Sequence, residues 1–222
     1  MTLVPLDRSR LEAALEALAE RDREVEAALA RLGPPEPRVR EPGFATLLPI
    51  VVAQQLSTKA AAAIWARLER AMGGACRPEA FLALGEAELR AAGLSTRKIA
   101  YGRGLAEAVL DGRLPVDELH RLDDEEVVAR ITALAGFGRW SAEIYLLFAL
   151  GRVDAFPADD LGLQAGFQRL KGLDRRPSAR ALRELVAHWA PWRGAGALLL
   201  WRVHGAATLE PAGAGLRPPP AP

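Results

Sequence analysis

The chain has 222 residues, half of them apolar and 26% charged, with a formal net charge of +1 and a pI near 8.0. That much apolar side chain fills one large core or two small ones and excludes a disordered polymer, while the near-neutral charge means that any basic, nucleic-acid-binding surface has to be local. The single cysteine, Cys76, excludes an intramolecular disulfide, a four-cysteine zinc site and an iron–sulfur cluster held by four cysteines of this chain.

The opening residues MTLVPLDRSRLEAAL contain no apolar run long enough for a signal peptide, and the most apolar run, Phe44 to Ala53, is too short to cross a membrane. The expected compartment is therefore a reducing, cytoplasmic one. Leu11, Leu15 and Leu18, then Val25, Leu29 and Leu32, recur at helical spacing, with Asp22 as an N-cap between them and Gly33 as a stop. Pro34, Pro35 and Pro37 break the chain. A buried helix is expected over Phe44 to Leu56, carrying Gln54-Gln55 at its end, and Ser57 caps the next helix, which Gly73 and Gly74 terminate.

Pro78 opens a short helix, Gly93 closes the following one, and Ser95 caps a helix with Ile99, Leu105 and Val109 on its inner side. Asp123 or Asp124 caps a helix with Val127, Val128, Ile131 and Leu134 on one face. Further on, Ser178 caps a helix with Leu182, Leu185, Val186 and Trp189 inward, and Trp192 to His204 is apolar on nearly every face, the mark of a central helix. No run alternates with period two, so the fold class is all-α, about ten helices joined by short loops, with no internal repeat. The residues from 207 to 222 lack side chains to bury and are expected to form a disordered tail.

Leu134-Ala135-Gly136-Phe137-Gly138 connects two of these helices. Two glycines flanking an apolar residue allow positive φ on both sides while Phe137 plugs the gap between the helices, the geometry of a helix-hairpin-helix. Such a turn presents backbone N–H groups at a helix N-terminus, where the dipole also favours anions, so a phosphate diester is a natural guest; the same glycines equally serve a plain αα corner. Past Pro157, Asp159 and Asp160 stand where the next helix begins, a position for N-caps.

The run LAGFGRWSAEIYLLFALGRVDAFPADDLGLQ resembles the helix-hairpin-helix, Gly/Pro-rich loop and aspartate signature of base-excision DNA glycosylases, most closely the DNA-3-methyladenine glycosylase II (alkylpurine DNA glycosylase) branch. FATLLPIVVAQQLSTKAAAAIWARL upstream and WAPWRGAGALLLWRVHG downstream are similar to the same branch, and the conjunction of three ordered motifs covers roughly Phe44 to Gly205.

The resemblance implies a two-lobed helical bundle with a cleft: one lobe over about 57–150 with the hairpin at 134–138, the other over about 7–56 and 158–206. It implies that Asp160 is the catalytic carboxylate, with Asp159 structural. Trp140 stands where relatives that nick the abasic strand carry a lysine nucleophile, and no lysine lies between Val127 and Asp160, so a monofunctional, water-using enzyme is implied. Trp140, Trp201, Ile144 and Leu161 correspond to base-pocket positions; Ile144 and Leu161 are aliphatic where some relatives have aromatics, and Tyr145 is adjacent to the pocket position. Both tryptophans are equally compatible with core packing.

Leu134, Gly136, Phe137, Gly138 and Arg139 correspond to DNA-backbone contacts, and Gln54 or Gln55 to the side chain that fills the gap left by a flipped nucleotide. In relatives the main-chain carbonyls of the hairpin, here Leu134 and Phe137, hold a monovalent cation; no cofactor is implied. The expected activity is hydrolytic excision of alkylated purines, chiefly 3-methyladenine, from damaged double-stranded DNA by a monomer. An oxidised or deaminated base is the alternative within the superfamily, and a non-catalytic DNA-binding hairpin module the alternative outside it. The residues before Phe44 are too few for the β-rich N-terminal domain of longer alkylpurine enzymes, which makes this a compact form.

Overall fold

The computed structural model describes residues 4–209; of the tail expected from residue 207, residues 207–209 are helical and the rest lies outside the described residues. Among the described residues the chain is all-α: twelve α-helices and two short 3-10 turns, with no strand. None of these helices is long and apolar enough to cross a membrane. The helices are α1 (Arg8–Ala19), α2 (Arg23–Leu32), α3 (Phe44–Ala53), α4 (Thr58–Ala71), α5 (Pro78–Ala83) and α6 (Glu86–Ala92), then α7 (Thr96–Leu110), α8 (Asp124–Thr132), α9 (Arg139–Phe148), α10 (Leu161–Leu170), α11 (Ala179–Leu185) and α12 (Arg193–Leu209).

Five of the twelve helix starts follow caps written in the sequence. Asp22, Ser57, Ser95, Asp123 and Ser178 each accept a hydrogen bond from a backbone N–H two or three residues into the helix they open, and Asp123 forms a reciprocal box with Glu126. Gly93 ends α6 in the left-handed region at φ 104°.

The described residues divide into two compact units, one of residues 40–150 and the other of residues 4–39 with 151–209. The boundary corrects one expectation. Residues 44–56 are expected with the N-terminal helices, but α3 packs against α4, α7 and α9. The reason is its all-round apolar surface: Phe44, Leu47, Leu48, Ile50, Val51 and Val52 are all buried, which no single neighbouring helix could achieve. Phe44 meets Phe81 of α5 edge-on, 6.1 Å between centroids, and the buried Tyr145 hydroxyl of α9 accepts the Gly43 N–H at 2.9 Å. Burial pushes the Tyr145 phenol up to about 12, so it stays a neutral part of this core.

In the other unit α12 is central, as its apolar composition predicted, and packs most extensively against α10. Gly166 permits the approach, because a Cβ there would lie 2.3 Å from the Leu200 carbonyl oxygen. Leu182, Val186 and Trp189 are buried, but Leu185 is exposed, against the expectation of a continuous helix face. The helix stops at Leu185 and a 3-10 turn over Ala187–Trp189 follows, so the 3.6-residue period no longer sets the inward face. Trp189 closes a buried polar knot, its indole donating to Asp22 at 2.7 Å, while the Lys171 ammonium contacts both oxygens of the same carboxylate at 2.7 Å.

Candidate functional sites: a hairpin turn and a capped carboxylate

The hairpin lies in the first unit, between α8 and α9. Gly136 takes φ +90° and a Cβ on it would stand 2.3 Å from the Tyr101 ring of α7, so this glycine is demanded both by backbone and by packing. Gly138 is different. It is extended at φ −107°, ψ 178°, so only one of the two glycines adopts the positive φ that the sequence allowed for both. A Cβ on Gly138 would meet nothing within 4 Å. Phe137 is buried.

Gly138 is the N-cap of α9 and, having no side chain, makes no side-chain cap to the first N–H groups of that helix. The Leu134 carbonyl accepts the Phe137 N–H at 3.2 Å, closing the turn. Arg139, expected at a phosphate, is engaged instead by two carboxylates. Its Nη atoms donate to both oxygens of Glu125 on α8, and its Nε donates to Glu143 Oε1 at 3.0 Å. Hydrogen bonding to Glu125 chiefly, then to Glu143, raises its affinity for its proton further. The guanidinium thus clamps the hairpin, and reaching a phosphate would require exchange of Glu125. Trp140 is half-buried and Ile144 is buried on the same helix.

The two glutamines are separated by the structure. α3 stops at Ala53, short of the expected Leu56, so Gln54 is its C-cap and Gln55 lies just past the helix. The Gln54 side chain is half-buried and its Nε2 donates to the Gly136 carbonyl at 2.7 Å, joining this loop to the hairpin turn. Gln55 is exposed and its backbone is left-handed at φ +56°, a conformation costing a non-glycine residue roughly 1 kcal/mol.

Asp160 lies in the second unit. Asp159 is expected to be the structural member of the pair, but the cap is Asp160: its Oδ1 accepts the Leu163 N–H at 3.0 Å. Asp159 is exposed and paired with Arg183 at 2.7 Å. The cap falls to Asp160 because it immediately precedes the helix with an extended backbone, φ −71° and ψ 120°. Two further bonds fix the position of this residue. Its N–H donates to the Pro157 carbonyl at 2.9 Å, and the indole Nε1 of Trp201 donates to Oδ1 at 3.0 Å.

Trp201 is half-buried on α12, with the Arg38 guanidinium 5.2 Å from its ring centroid. This aromatic face attracts cations. Leu161, at the first position of α10, is 61% exposed and is not a buried pocket wall within its own unit. The loop before Asp160 is held from two sides: the buried Gln164 donates to the Ala158 carbonyl at 2.9 Å, and Arg193 grips Asp154 with its Nε and Nη2 at 2.9 and 2.6 Å.

The sequence reading did not single out Lys98, Tyr101, Glu143 or Arg38. Only Glu143 carried a signal, its spacing of four from Arg139 on one helix face. The described residues contain no group of three or more His, Cys, Asp or Glu side chains that could hold a metal ion.

A helix-hairpin-helix turn, a Pro-containing loop and an aspartate capping the next helix, in that order in an all-α chain, define a class of DNA repair protein. Residues 49–191 match the HhH-GPD superfamily of base excision DNA repair proteins, and the chain belongs to that family. It is 37% identical over 166 residues to DNA-3-methyladenine glycosylase 1 of Schizosaccharomyces pombe, covering 73% of this chain and 72% of that protein. A second protein of the same yeast, alkylbase DNA glycosidase-like protein mag2, is 32% identical, with 45% of this chain matching 47% of its length. Among solved structures, the Schizosaccharomyces pombe 3-methyladenine DNA glycosylase in complex with abasic DNA superposes with a TM-score of 0.81 at 34% identity, over 86% of this chain and 95% of that one.

Proposed function

We propose that the chain is a monofunctional DNA glycosylase that hydrolyses the N-glycosidic bond of alkylated purines, chiefly 3-methyladenine, in duplex DNA and leaves an abasic site. The observation that carries the reading is the carboxylate of Asp160, pinned at the start of α10 by the Leu163 N–H and the Trp201 indole. Breaking the bond at C1′ builds positive charge on the sugar, and a preorganised carboxylate stabilises that oxocarbenium-like transition state. The bonding pair leaves with the base. A purine carrying a methyl group on a ring nitrogen is already cationic and departs neutral, so it needs no acid. A water oxygen then adds to C1′ and its proton passes to Asp160 or to solvent.

The DNA strand is held at the hairpin, where the N–H groups from Gly138 onward donate to the oxygens of a phosphate diester regardless of sequence. Leu134, Gly136 and Phe137 shape that turn, and Arg139 adds charge once Glu125 releases it. The carbonyls of Leu134 and Phe137 are the atoms that would hold a monovalent cation there; the 3.2 Å bond from Phe137 N–H uses one lone pair of the Leu134 carbonyl, so the donor set fits. Such a cation would add positive charge behind the bound phosphate. Gln55 is the gap-filling side chain, since the Gln54 amide is already committed to Gly136.

In the first unit Trp140 offers an aromatic face and Ile144 an aliphatic side chain, and in the second Trp201 and Leu161 do the same; an aromatic face favours a cationic base over its neutral parent. The protein acts as a monomer in the cytoplasm, on the DNA of the nucleoid. The test is release of methylated bases from alkylated duplex DNA by the wild type and by Asp160→Asn. Asparagine keeps the cap but not the charge, so release is expected to fall at least about 100-fold while duplex binding persists. Equal activity of the variant, or no release by the wild type, overturns the reading.

A further inference from the structure

Lys98 is one of three lysines in a chain whose other basic side chains are arginines. From α7 its Nζ donates to the Val52 carbonyl at 2.7 Å and to the Gln54 carbonyl at 2.9 Å. Both acceptors belong to the C-terminal end of α3, where the last carbonyls lack donors within the helix and the dipole favours a cation. One turn further along α7, the Tyr101 ring occupies the space that a side chain on Gly136 would need. Gln54 closes the triangle by donating from Nε2 to the Gly136 carbonyl at 2.7 Å. One helix therefore grips both the loop after α3 and the hairpin turn, and the two are also bonded to each other.

The peptide unit held by Lys98 is the one that joins Gln54 to Gln55, because the Gln54 carbonyl is part of it. Gln55 follows at φ +56°, exposed and without the glycine that this conformation favours. A non-glycine residue persists there when its neighbours are fixed from outside. An ammonium on one flanking carbonyl and a side-chain amide anchored to the hairpin supply that fixation.

We propose that Lys98 is a positioning residue for damage recognition, holding the Gln54–Gln55 peptide so that Gln55 enters the duplex gap in register with the phosphate-binding turn. The proposal rests on the glycosylase reading above, with Gln55 as the gap-filling residue. Lys98 touches neither the base nor the sugar; it acts through Gln55.

The experiment is a double-mutant cycle on the full chain with Lys98→Met, Gln55→Ala and the double variant. Binding is measured to a duplex carrying a tetrahydrofuran abasic analogue and to the undamaged duplex of the same sequence. The quantity read is the ratio of the two affinities. Each single variant is expected to lower that ratio about tenfold, and the double variant no further than either. An unchanged ratio in Lys98→Met, including a parallel loss on both duplexes, overturns the proposal, as do effects that multiply in the double variant. If Lys98→Met does not fold, Lys98→Arg is used in the same cycle. It keeps the charge but moves the donors, and it is expected to give a smaller loss that again does not multiply with Gln55→Ala; multiplication overturns the proposal.

Base release from alkylated DNA by the wild type is measured alongside. A wild type that releases nothing removes the glycosylase reading and the proposal with it. An active wild type with independent effects of the two residues counts against Lys98 alone.

Discussion

The indole N–H of Trp201 donates to Oδ1 of Asp160 at 3.0 Å, so an aromatic side chain of α12 fixes the orientation of a carboxylate at the start of α10. The Leu163 N–H lands on the same oxygen at the same distance. A hydrogen bond to an ionised group contributes roughly 1.5–3 kcal/mol. Together the two hold the carboxylate against rotation about its own side-chain bonds, and they do so within one compact unit.

Replacing Trp201 by phenylalanine removes the donor and retains an aromatic face. Single-turnover release of 3-methyladenine is expected to slow about tenfold, corresponding to about 1.4 kcal/mol of lost transition-state stabilisation. Affinity for alkylated duplex should change less than the rate. Comparison of single-turnover rates with equilibrium binding checks this; a variant that binds poorly but turns over normally when saturated would mean that Trp201 contacts the base without orienting Asp160.

The two glycines of the hairpin should respond oppositely. Gly136→Ala meets the Tyr101 ring and an unfavourable φ, and is expected to destabilise the chain by roughly 3 kcal/mol in urea unfolding. Gly138→Ala has open space and an extended backbone, so its stability cost is about 0.5 kcal/mol. If the α9 N-terminus holds a phosphate as proposed, the methyl stands in its approach, and duplex affinity is expected to fall about tenfold by fluorescence anisotropy.

With tryptophan at position 140 and no lysine on α8 or α9, no Schiff base can form from this hairpin. Borohydride added during turnover on alkylated duplex is expected to trap no covalent protein–DNA adduct, as read by denaturing electrophoresis. Incision of the strand at the abasic site should require added alkali.

Asp22 gives a pH signature in the second unit. Burial opposes its ionisation, but the Lys171 and Trp189 hydrogen bonds outweigh burial and hold the carboxyl well below its ordinary 3.8. A lowered folded value means that the ionised form is the one folding favours. The contribution is fully present above 3.8 and is lost as pH falls below it towards the folded value. Asp22→Asn leaves the Lys171 ammonium without its buried partner and is expected to cost about 3 kcal/mol at neutral pH. The gap between wild type and variant should narrow in unfolding curves recorded between pH 4 and pH 2.

The helices were legible because their signals are local. Asp22, Ser57, Ser95, Asp123 and Ser178 cap where their side-chain chemistry suggested, and the apolar run before His204 is the central helix. The order of hairpin, Pro loop and aspartate was likewise written in the chain, since turns and caps are set by residues a few positions apart.

The sequence by itself determined an all-α chain, its helix-hairpin-helix and the carboxylate pair at the head of α10. Which glutamine is tethered and which exposed, which unit α3 joins and what orients the Asp160 carboxylate were decided only by the tertiary structure. The partners are remote in the chain: Gly136 for Gln54, Lys98 for the peptide before Gln55, Tyr145 for Gly43 at the start of α3, Trp201 for Asp160. No periodicity or cap rule reaches that far, because a hydrogen bond between distant residues depends on how helices pack and not on the spacing within any one of them.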